Sequence, residues 1–283
     1  MQQPPSSLSF GETSQFYIEY MKRSEPYNMT SEHYHSYYEI YYLLSGKRVY
    51  FIRDRSYSVE AGDLVFINKH DVHKTMQLGD PSHERLIIHA NDHWIRKWYG
   101  EHAELLLSPF QQTCPVLRLP HREQVDIQTS ARTLLKELRG KEPGFDLMAR
   151  QACIDIMLIS ARYLLHHEPT PFTHVSPLHA KISDIVHHIN GHFREPIRLN
   201  ELAERFFISP YYLSRMFKEV TGFSFSDYIT LTRVKEAQRL LSETTLSITE
   251  IAGQVGFDNF SHFGKTFKRV TSMSPRHYRN NMS

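Results

Sequence analysis

Cysteine is nearly absent from this 283-residue sequence, which contains only Cys114 and Cys153. Two cysteines cannot form the disulfide framework of a small secreted domain, so we expect both thiols to be reduced and the protein to be cytoplasmic. The sequence also lacks any run of the ~18 consecutive apolar residues that a membrane-spanning helix requires. Residues 1–10 lack the charged start and apolar run of a secretory signal. We therefore expect neither export nor a membrane partner.

An excess of charge of one sign is missing as well, because the formal net charge is only +2. The balance nevertheless differs along the chain. Residues 178–283 contain 14 Lys or Arg against 10 Asp or Glu (net +4), whereas residues 1–177 contain 19 against 21 (net −2). Excess positive charge in the C-terminal part favours a polyanionic partner there, although it is also compatible with a solvated surface.

The first 90 residues contain short runs rich in Tyr, Ile, Phe and Val, separated by turn signals. The runs predict five strands, at residues 16–20, 39–44, 48–53, 64–67 and 85–89. Short strands at this spacing favour a small barrel or sandwich within residues 1–120.

A helical period begins at Arg122 and ends at Gly140, and its apolar residues recur on one face at Ile127, Ala131, Leu134, Leu135 and Leu138. A second helix, over residues 146–166, is apolar around much of its circumference and needs cover from more than one side. The cover comes either from the barrel and a second subunit or from a single subunit alone. We predict a helical dimerisation segment over residues 121–167, hence a homodimer, followed by a proline-bearing linker over residues 168–177.

Residues 178–283 contain two segments of one design, at about 200–220 and 248–270. In the first, a short helix and a turn precede Ser209 and Pro210, a cap and first residue that start the next helix. That helix places Leu213, Met216, Phe217 and Val220 on a buried face, and Tyr211, Ser214, Arg215 and Lys218 on the opposite face. A packed back with a hydrogen-bonding front suits a helix that reads a DNA major groove.

The second segment turns at Gly256, where positive φ is required. Its second helix, opening near Asp258 or Asn259, packs through Phe263, Phe267 and Val270 and presents the polar side chains Ser261, His262, Lys265, Lys268 and Arg269. A continuous helix over residues 226–241 separates the two copies as a rigid spacer of ~24 Å. One helix-turn-helix alone could be a plain helical corner, but two copies with basic faces predict a DNA-binding domain.

These residues resemble the AraC/XylS family of bacterial transcription regulators over about residues 179–280. The resemblance is carried by RVKEAQRLL at 233–241, ITEIAGQVGF at 248–257, residues 263–268, Ser274 and Pro275, and Tyr278 and Arg279. It implies base contacts by Tyr211, Ser214, Arg215, Phe260, Ser261, His262 and Lys265. Lys218, Lys268 and Arg269 lie farther along the helices, where phosphate contacts are expected. Lys265 and Gly264 stand where the family often has arginine and serine.

The first part of the chain resembles cupin barrels. The sequence places His33, His35, Tyr37, Glu39 and Tyr41 on one face of an extended segment, with His73 one hairpin later. In metal-dependent cupins the positions of His33, His35, Glu39 and His73 bind a divalent metal, and three nitrogens with one carboxylate suit Zn, Fe, Mn or Ni.

Four interpretations of this cluster remain open: the lining of a small-molecule cavity without metal, a structural or sensing metal, a catalytic metal, and a purely structural polar cluster. We predict an α+β protein, with a cupin-like β-barrel, a helical dimerisation segment and an all-α double helix-turn-helix domain. It is expected to regulate transcription, not to act as an enzyme, with double-stranded DNA and RNA polymerase as partners. We predict an activator with a small-molecule effector, and the resemblance to sugar-responsive relatives favours a carbohydrate. Two alternatives stay open: a metal-binding cupin sensor or enzyme fused to a DNA-binding domain, and a DNA-binding repressor or architectural protein without a ligand.

Overall fold

The computed structural model describes residues 6–27, 35–168 and 174–282. The chain divides into two compact units, one comprising Met1–Arg53 with Tyr57–Thr173 and the other Asp54–Ser56 with His174–Ser283. The first is built on β-sheets and the second on helices, which confirms the predicted α+β class. Within the described ranges, no helix combines the length and apolar composition needed to cross a membrane.

Nine strands lie in the described part of the chain, in two sheets. Their bounds are β1 (Ser7–Glu12), β2 (Phe16–Arg23), β3 (Tyr38–Ser45), β4 (Lys47–Ile52), β5 (Arg55–Glu60), β6 (Leu64–Ile67), β7 (His73–Gln77), β8 (His83–Ala90) and β9 (Val116–Leu117). One sheet has the order β1-β2-β8-β3-β6-β9, and the other has the order β5-β4-β7. Neighbouring strands such as β3 and β8 are antiparallel.

Alternate residues of each strand point to opposite faces of its sheet, and the two faces of the six-stranded sheet have different neighbours. One face, which includes Ile18, Ile40 and Ile88, belongs to a core shared with helices. The other face meets the three-stranded sheet in a second core. That core contains Tyr41, Leu43, Val65, Ile67, Ile87, Tyr50, Ile52, Tyr57 and Val59. The two sheets therefore enclose an interior, as the cupin-like prediction requires.

Four α-helices accompany the sheets in the described residues: α1 (Asp92–Tyr99), α2 (Ala103–Leu107), α3 (His121–Gly140) and α4 (Phe145–His166). The predicted helices at 122–140 and 146–166 are thus confirmed to within one residue. Helix α3 buries Ile127 and Leu134, while α4 buries Cys153 and Ile156 among others, and all four side chains join the core beneath the six-stranded sheet.

The second unit contains seven helices in the described residues. They are α5 (Pro177–His192), α6 (Leu199–Arg205), α7 (Pro210–Thr221), α8 (Phe225–Glu243), α9 (Ile248–Gln254), α10 (Phe260–Thr271) and α11 (Pro275–Met282). The predicted spacer helix is α8, which at 19 residues is about 29 Å long. Helices α7, α9, α10 and α11 all contact it. Its buried residues, including Leu231 and Val234, explain why one helix can hold both copies.

Four strands were not predicted from the sequence, namely β1, β5, β7 and β9. Strand β1 lies at a sheet edge and is mostly exposed, with only two apolar residues, Leu8 and Phe10, and β7 has the polar sequence HKTMQ, so the apolar signal of both strands is weak. Pairing with β2 and β4 places these two strands in their sheets. The linker predicted at 168–177 lies partly outside the described residues, since residues 169–173 are not described.

Candidate functional site

The start of helix α7 is set by its cap. The hydroxyl of Ser209 accepts a hydrogen bond from the amide of Tyr212 at 3.2 Å, and Pro210 fills the first helical position, where no amide partner exists. The predicted inner face is buried at Leu213, Met216, Phe217 and Val220. The predicted outer residues Tyr211, Ser214, Arg215 and Lys218 are all exposed. Helix α7 thus presents one continuous polar surface with a phenol, a hydroxyl and two cations.

Helix α10 repeats this construction with a different cap. The side chain of Asn259 accepts a hydrogen bond from the amide of His262 at 3.0 Å, which places the helix start within the predicted range. Phe263 and Phe267 are fully buried, whereas Val270, predicted to pack with them, is only partly buried. The exposed residues include all the predicted contacts, Phe260, Ser261, His262, Lys265, Lys268 and Arg269.

The turns that precede α7 and α10 have the same hydrogen bonds. The amide of Ile208 donates to the carbonyl of Ala203 at 3.0 Å, and the amide of Phe257 donates to the carbonyl of Ala252 at 2.9 Å. Phe207 and Gly256 therefore occupy equivalent positions, and both have positive φ, +55° and +88°. Positive φ at Gly256 confirms the prediction from its sequence position, while Phe207 is an aromatic residue in a conformation that suits glycine.

Replacing Phe207 with glycine is expected to stabilise the helical unit by about 0.5–1 kcal/mol. The left-handed conformation costs a residue with a Cβ about 1–2 kcal/mol, and the greater flexibility of unfolded glycine offsets part of that gain. Phe207 is 93% exposed, so its ring contributes little packing. Hydrogen exchange of the α6–α7 segment measures the change. The control Phe207→Val has a β-branched side chain and should exchange faster than the wild type. Slower exchange in Phe207→Val than in the wild type would contradict backbone strain at residue 207.

In the first unit, three histidines lie close to the buried carboxylate of Glu39. Glu39 is 1% exposed, and its Oε2 lies 3.1 Å from Nε2 of His35 and 2.9 Å from Nε2 of His89. Nε2 of His73 lies 4.0 Å from the same oxygen. Burial alone would raise the pKa of Glu39, but the hydrogen bonds from His35 and His89 and the nearby His73 and His89 charges together hold it well below its usual range. Glu39 is therefore an ionised acceptor inside the barrel.

Main-chain carbonyls fix the orientation of two of these histidine rings. Nδ1 of His35 lies 2.8 Å from the carbonyl oxygen of Tyr37, and Nδ1 of His73 lies 2.7 Å from that of Asp71. An N–H donated to a carbonyl from Nδ1 directs Nε2 of each ring towards Glu39. The same second-sphere arrangement orients histidines that bind metals.

The predicted effector residues divide three ways. His35, Glu39 and His73 lie together, and the Tyr37 ring stacks on His35 with ring centroids 3.9 Å apart. Tyr41 lies in the core between the two sheets, in contact with Tyr50. His33 lies outside the described residues.

His89 was missed from the sequence, although its strand was predicted at residues 85–89. It is the residue of β8 that pairs with Glu39 of β3, and it therefore points into the same interior. The signal available was the alternation of His83, Arg85 and His89 along that strand, which shows three polar side chains on one face. Pairing β8 with β3 requires knowledge of the topology, because 50 residues separate Glu39 from His89.

Two family models match the chain. A model described as an AraC-like ligand binding domain matches residues 15–138, and one described as a helix-turn-helix domain matches residues 202–281.

Two relatives match the chain over most of its length, at about 25% identity. The HTH-type transcriptional activator RhaR of Cronobacter sakazakii is 26% identical over 261 residues, which cover 90% of this chain and 88% of that protein. The uncharacterized HTH-type transcriptional regulator YfiF of Bacillus subtilis is 25% identical over 274 residues, covering 93% and 83%. Among solved structures, the C-terminal domain of AraT, a response regulator from Geobacillus stearothermophilus, is 36% identical over 38% of this chain and 88% of that one, with a TM-score of 0.36.

Proposed function

Because this chain belongs to the AraC/XylS family of DNA-binding transcription regulators, we propose that it activates transcription when a small molecule binds inside its β-barrel. The observation that carries the proposal is the presence, in one chain, of two capped helices with exposed polar faces and a sheet-enclosed interior with buried polar groups. The name of the relative RhaR as an activator supports the sign of regulation. The relatives with full-length matches are named as regulators, and we propose no catalytic role.

The exposed face of α7 supports direct base recognition. The Arg215 guanidinium can donate two hydrogen bonds to one guanine, and Ser214 can donate to or accept from either strand. Tyr211, 79% exposed, and Phe260, 51% exposed, can contact thymine methyl groups. Lys218, Lys268 and Arg269 stand farther along their helices, where they suit phosphate contacts.

Replacing Arg215 with alanine is expected to weaken binding to the specific site by about 1–3 kcal/mol and to relax the preference at one base position. The measurement is fluorescence anisotropy with DNA fragments that the protein selects from a random library. Lys218→Ala, from the same exposed face, is the matched control: it should weaken binding to all sequences and reduce the salt dependence. An equal loss on random and selected DNA for Arg215→Ala would contradict base recognition.

Ligand sensing requires that effector binding in the barrel be coupled to DNA binding by the helical unit. We propose that the effector, a carbohydrate or a related hydroxyl-bearing molecule, changes how the two helical units of a homodimer are presented to DNA and RNA polymerase. Exposed apolar side chains on α4, Leu147 at 67% and Leu165 at 63%, support a subunit contact there. Sedimentation velocity tests the dimer, and operator affinity measured with and without candidate effectors tests the coupling. Identical affinity under every compound would contradict a sensor.

A specific arrangement also supports a divalent metal in the barrel as a second candidate. The ligand atoms of His35, Glu39 and His89 lie within 4.8 Å of one another, and His73 adjoins them. Three imidazole nitrogens and one carboxylate suit Zn, Fe, Mn or Ni, so His89 replaces the undescribed His33 in the ligand set that this structure supports. Such a metal would supply a Lewis-acid site for an effector hydroxyl. Elemental analysis of purified protein tests it: a bound metal lost in His89→Ala supports the candidate, and a metal-free wild type contradicts it.

A further inference from the structure

Two buried arginines lie in the barrel interior, on the strands next to the Glu39 cluster. Arg48 of β4 is 1% exposed and Arg85 of β8 is 8% exposed. Arg48 stands two residues before Tyr50, and Arg85 stands two residues before Ile87; Tyr50 and Ile87 both belong to the core between the sheets. Because residues two apart on a strand share a face, both arginines point into that interior.

Arg48 has no carboxylate partner among the described residues. Its Nε donates to the hydroxyl of Thr75 at 3.3 Å, and its Nη2 donates to the carbonyl of Tyr27 at 2.7 Å. Its Nη1 is buried without a hydrogen-bond partner in the described part of the chain. Burial lowers the pKa of Arg48, yet a guanidinium starts so high that it stays charged. A buried charge that only neutral acceptors contact is unfavourable until an anion joins it.

The two nearby carboxylates, Glu19 and Glu39, already accept hydrogen bonds from other residues. Arg85 Nη2 donates to Glu19 Oε1 at 2.6 Å, which balances Arg85, although Arg85 Nη1 has no partner within the described ranges. Glu39 Oε2 accepts from His35 and His89. Among the described residues, no carboxylate therefore balances the charge of Arg48, and two guanidinium nitrogens, Nη1 of Arg48 and Nη1 of Arg85, lack a hydrogen-bond partner.

Two tyrosines extend this polar surface. Tyr41 and Tyr50 are fully buried, their rings meet edge to face at 4.9 Å, and neither hydroxyl has a partner among the residues described. Along β3, Tyr41 is two residues from Glu39, and along β4, Tyr50 is two residues from Arg48. The phenols thus lie between the arginines and Glu39.

His83, also on the inner face of β8, adds no charge. Burial lowers the pKa of His83, and the neighbouring charges of Arg48, Arg85 and Arg23 lower it further against a hydrogen bond to the Pro81 carbonyl that raises it. The ring is therefore neutral at neutral pH. The positive charge at this end of the barrel resides on arginine, whose planar donors match a carboxylate.

We propose that the effector is a small hydroxylated carboxylate, such as a sugar acid, whose carboxylate accepts hydrogen bonds from Arg48 and Arg85. Its hydroxyls then reach Tyr41, Tyr50 and Glu39 Oε1, which also has no partner in the described residues. A carboxylate carries one negative charge and Arg48 carries one positive charge, so a carboxylate matches Arg48 better than a doubly charged phosphate does. This inference rests on the proposed sensing function, whose ligand class it specifies.

The test compares acids with their neutral counterparts on the full-length protein in low-chloride buffer. Thermal unfolding is followed with D-galacturonate and D-galactose, D-glucuronate and D-glucose, D-gluconate and D-glucitol, and with glucose 6-phosphate. We expect at least one acid to raise the melting temperature while its neutral counterpart does not. Stabilisation by neutral sugars only, by the phosphate in preference to the acids, or by none of the compounds overturns the proposal.

Variants then locate the binding. For the stabilising acid, calorimetry should show a 10- to 100-fold weaker affinity in Arg48→Met, because a hydrogen bond to a charged group is lost. Arg48→Lys keeps the charge but replaces the planar guanidinium with a single nitrogen, so it should lose about tenfold in affinity, which covers the case in which Arg48→Met does not fold. Arg122→Met, an exposed arginine of α3, should bind as the wild type does. Unchanged affinity in both Arg48 variants overturns the assignment.

Failure of this inference and failure of the sensing function give different results. If only a neutral sugar binds and changes operator affinity, the sensor stands and the carboxylate class is wrong. If an acid binds through Arg48 but leaves operator affinity unchanged, the ligand class stands and the sensing function is wrong.

Discussion

Replacing Glu39 with alanine is expected to lower the free energy of unfolding of the β-sheet unit by about 3–5 kcal/mol. The carboxylate is 1% exposed and accepts hydrogen bonds from two histidines, with a third at 4.0 Å. Its removal leaves those imidazoles buried without their shared acceptor and leaves a cavity between the sheets. A buried polar network is destabilised most when one member is removed and the others remain.

Tryptophan fluorescence can measure the stability of the β-sheet unit separately from the helical unit. Both tryptophans of the chain, Trp94 and Trp98, belong to α1 in the first unit, and Trp94 is buried in its core. Tryptophan fluorescence during urea unfolding therefore reports on the β-sheet unit alone. Glu60→Ala is the matched control, because Glu60 pairs with Lys47 at 3.0 Å on the surface of the same unit and should cost at most about 1 kcal/mol. Equal effects of the two substitutions would show that Glu39 carries no buried charge.

Replacing Gly256 with alanine is expected to destabilise the helical unit by about 2–5 kcal/mol. Gly256 has φ +88°, and a Cβ there would lie 2.6 Å from the carbonyl oxygen of Arg194 and 3.0 Å from that of Phe193. A left-handed conformation costs a residue with a side chain about 1–2 kcal/mol, and forcing atoms into a packed region typically costs a further 1–3 kcal/mol.

The neighbouring carbonyls cannot easily move aside. Arg233 of α8 donates from Nε to the carbonyl of Phe193 at 2.8 Å and from Nη2 to the carbonyl of Glu195 at 2.9 Å. The turn before α10 must shift instead, and it would move the exposed α10 residues that we propose as DNA contacts. We therefore expect the loss of stability to be accompanied by weaker binding to the selected DNA.

Hydrogen exchange resolved by peptide measures this change, since the second unit contains no tryptophan. Peptides from α9 and α10 should exchange faster in Gly256→Ala. Gly253→Ala, three residues earlier, is the control. Gly253 lies inside α9, and a Cβ added there would have no neighbouring atom of the described residues within 4 Å, so alanine should slow exchange by improving helix propensity. If both variants behave alike, steric conflict at Gly256 is not the cause.

The predictions that depend on a few neighbouring residues agree with the structure. The cap at Ser209, the turn at Gly256 and the limits of α3 and α4 were all predicted from spacing and residue type. The buried faces of α7 and α10 agree except at Val270, near the end of its helix, which is only partly buried. Helical periods are strong signals because each turn repeats the same face.

The set of residues that lines the barrel interior could not be predicted from local patterns. From the sequence, His33, His35, Glu39 and His73 formed one candidate group, and His89, Arg48 and Arg85 were absent from it. Those three residues enter the interior because β8 and β4 run beside β3 and β7. Alternation states which residues of one strand share a face, but not which strands face each other.

The sequence by itself determined the two helix-turn-helix segments, their caps and exposed faces, and the family, because caps, helical faces and sequence motifs are each set by residues close together in the chain. Only the tertiary structure decided the composition of the barrel interior. Strand pairing set Glu39 opposite His89, 50 residues away, and the packing of two sheets buried Arg48 without an acidic partner among the described residues. Long-range register and burial arise from the packing of the whole unit, so no local pattern can report them.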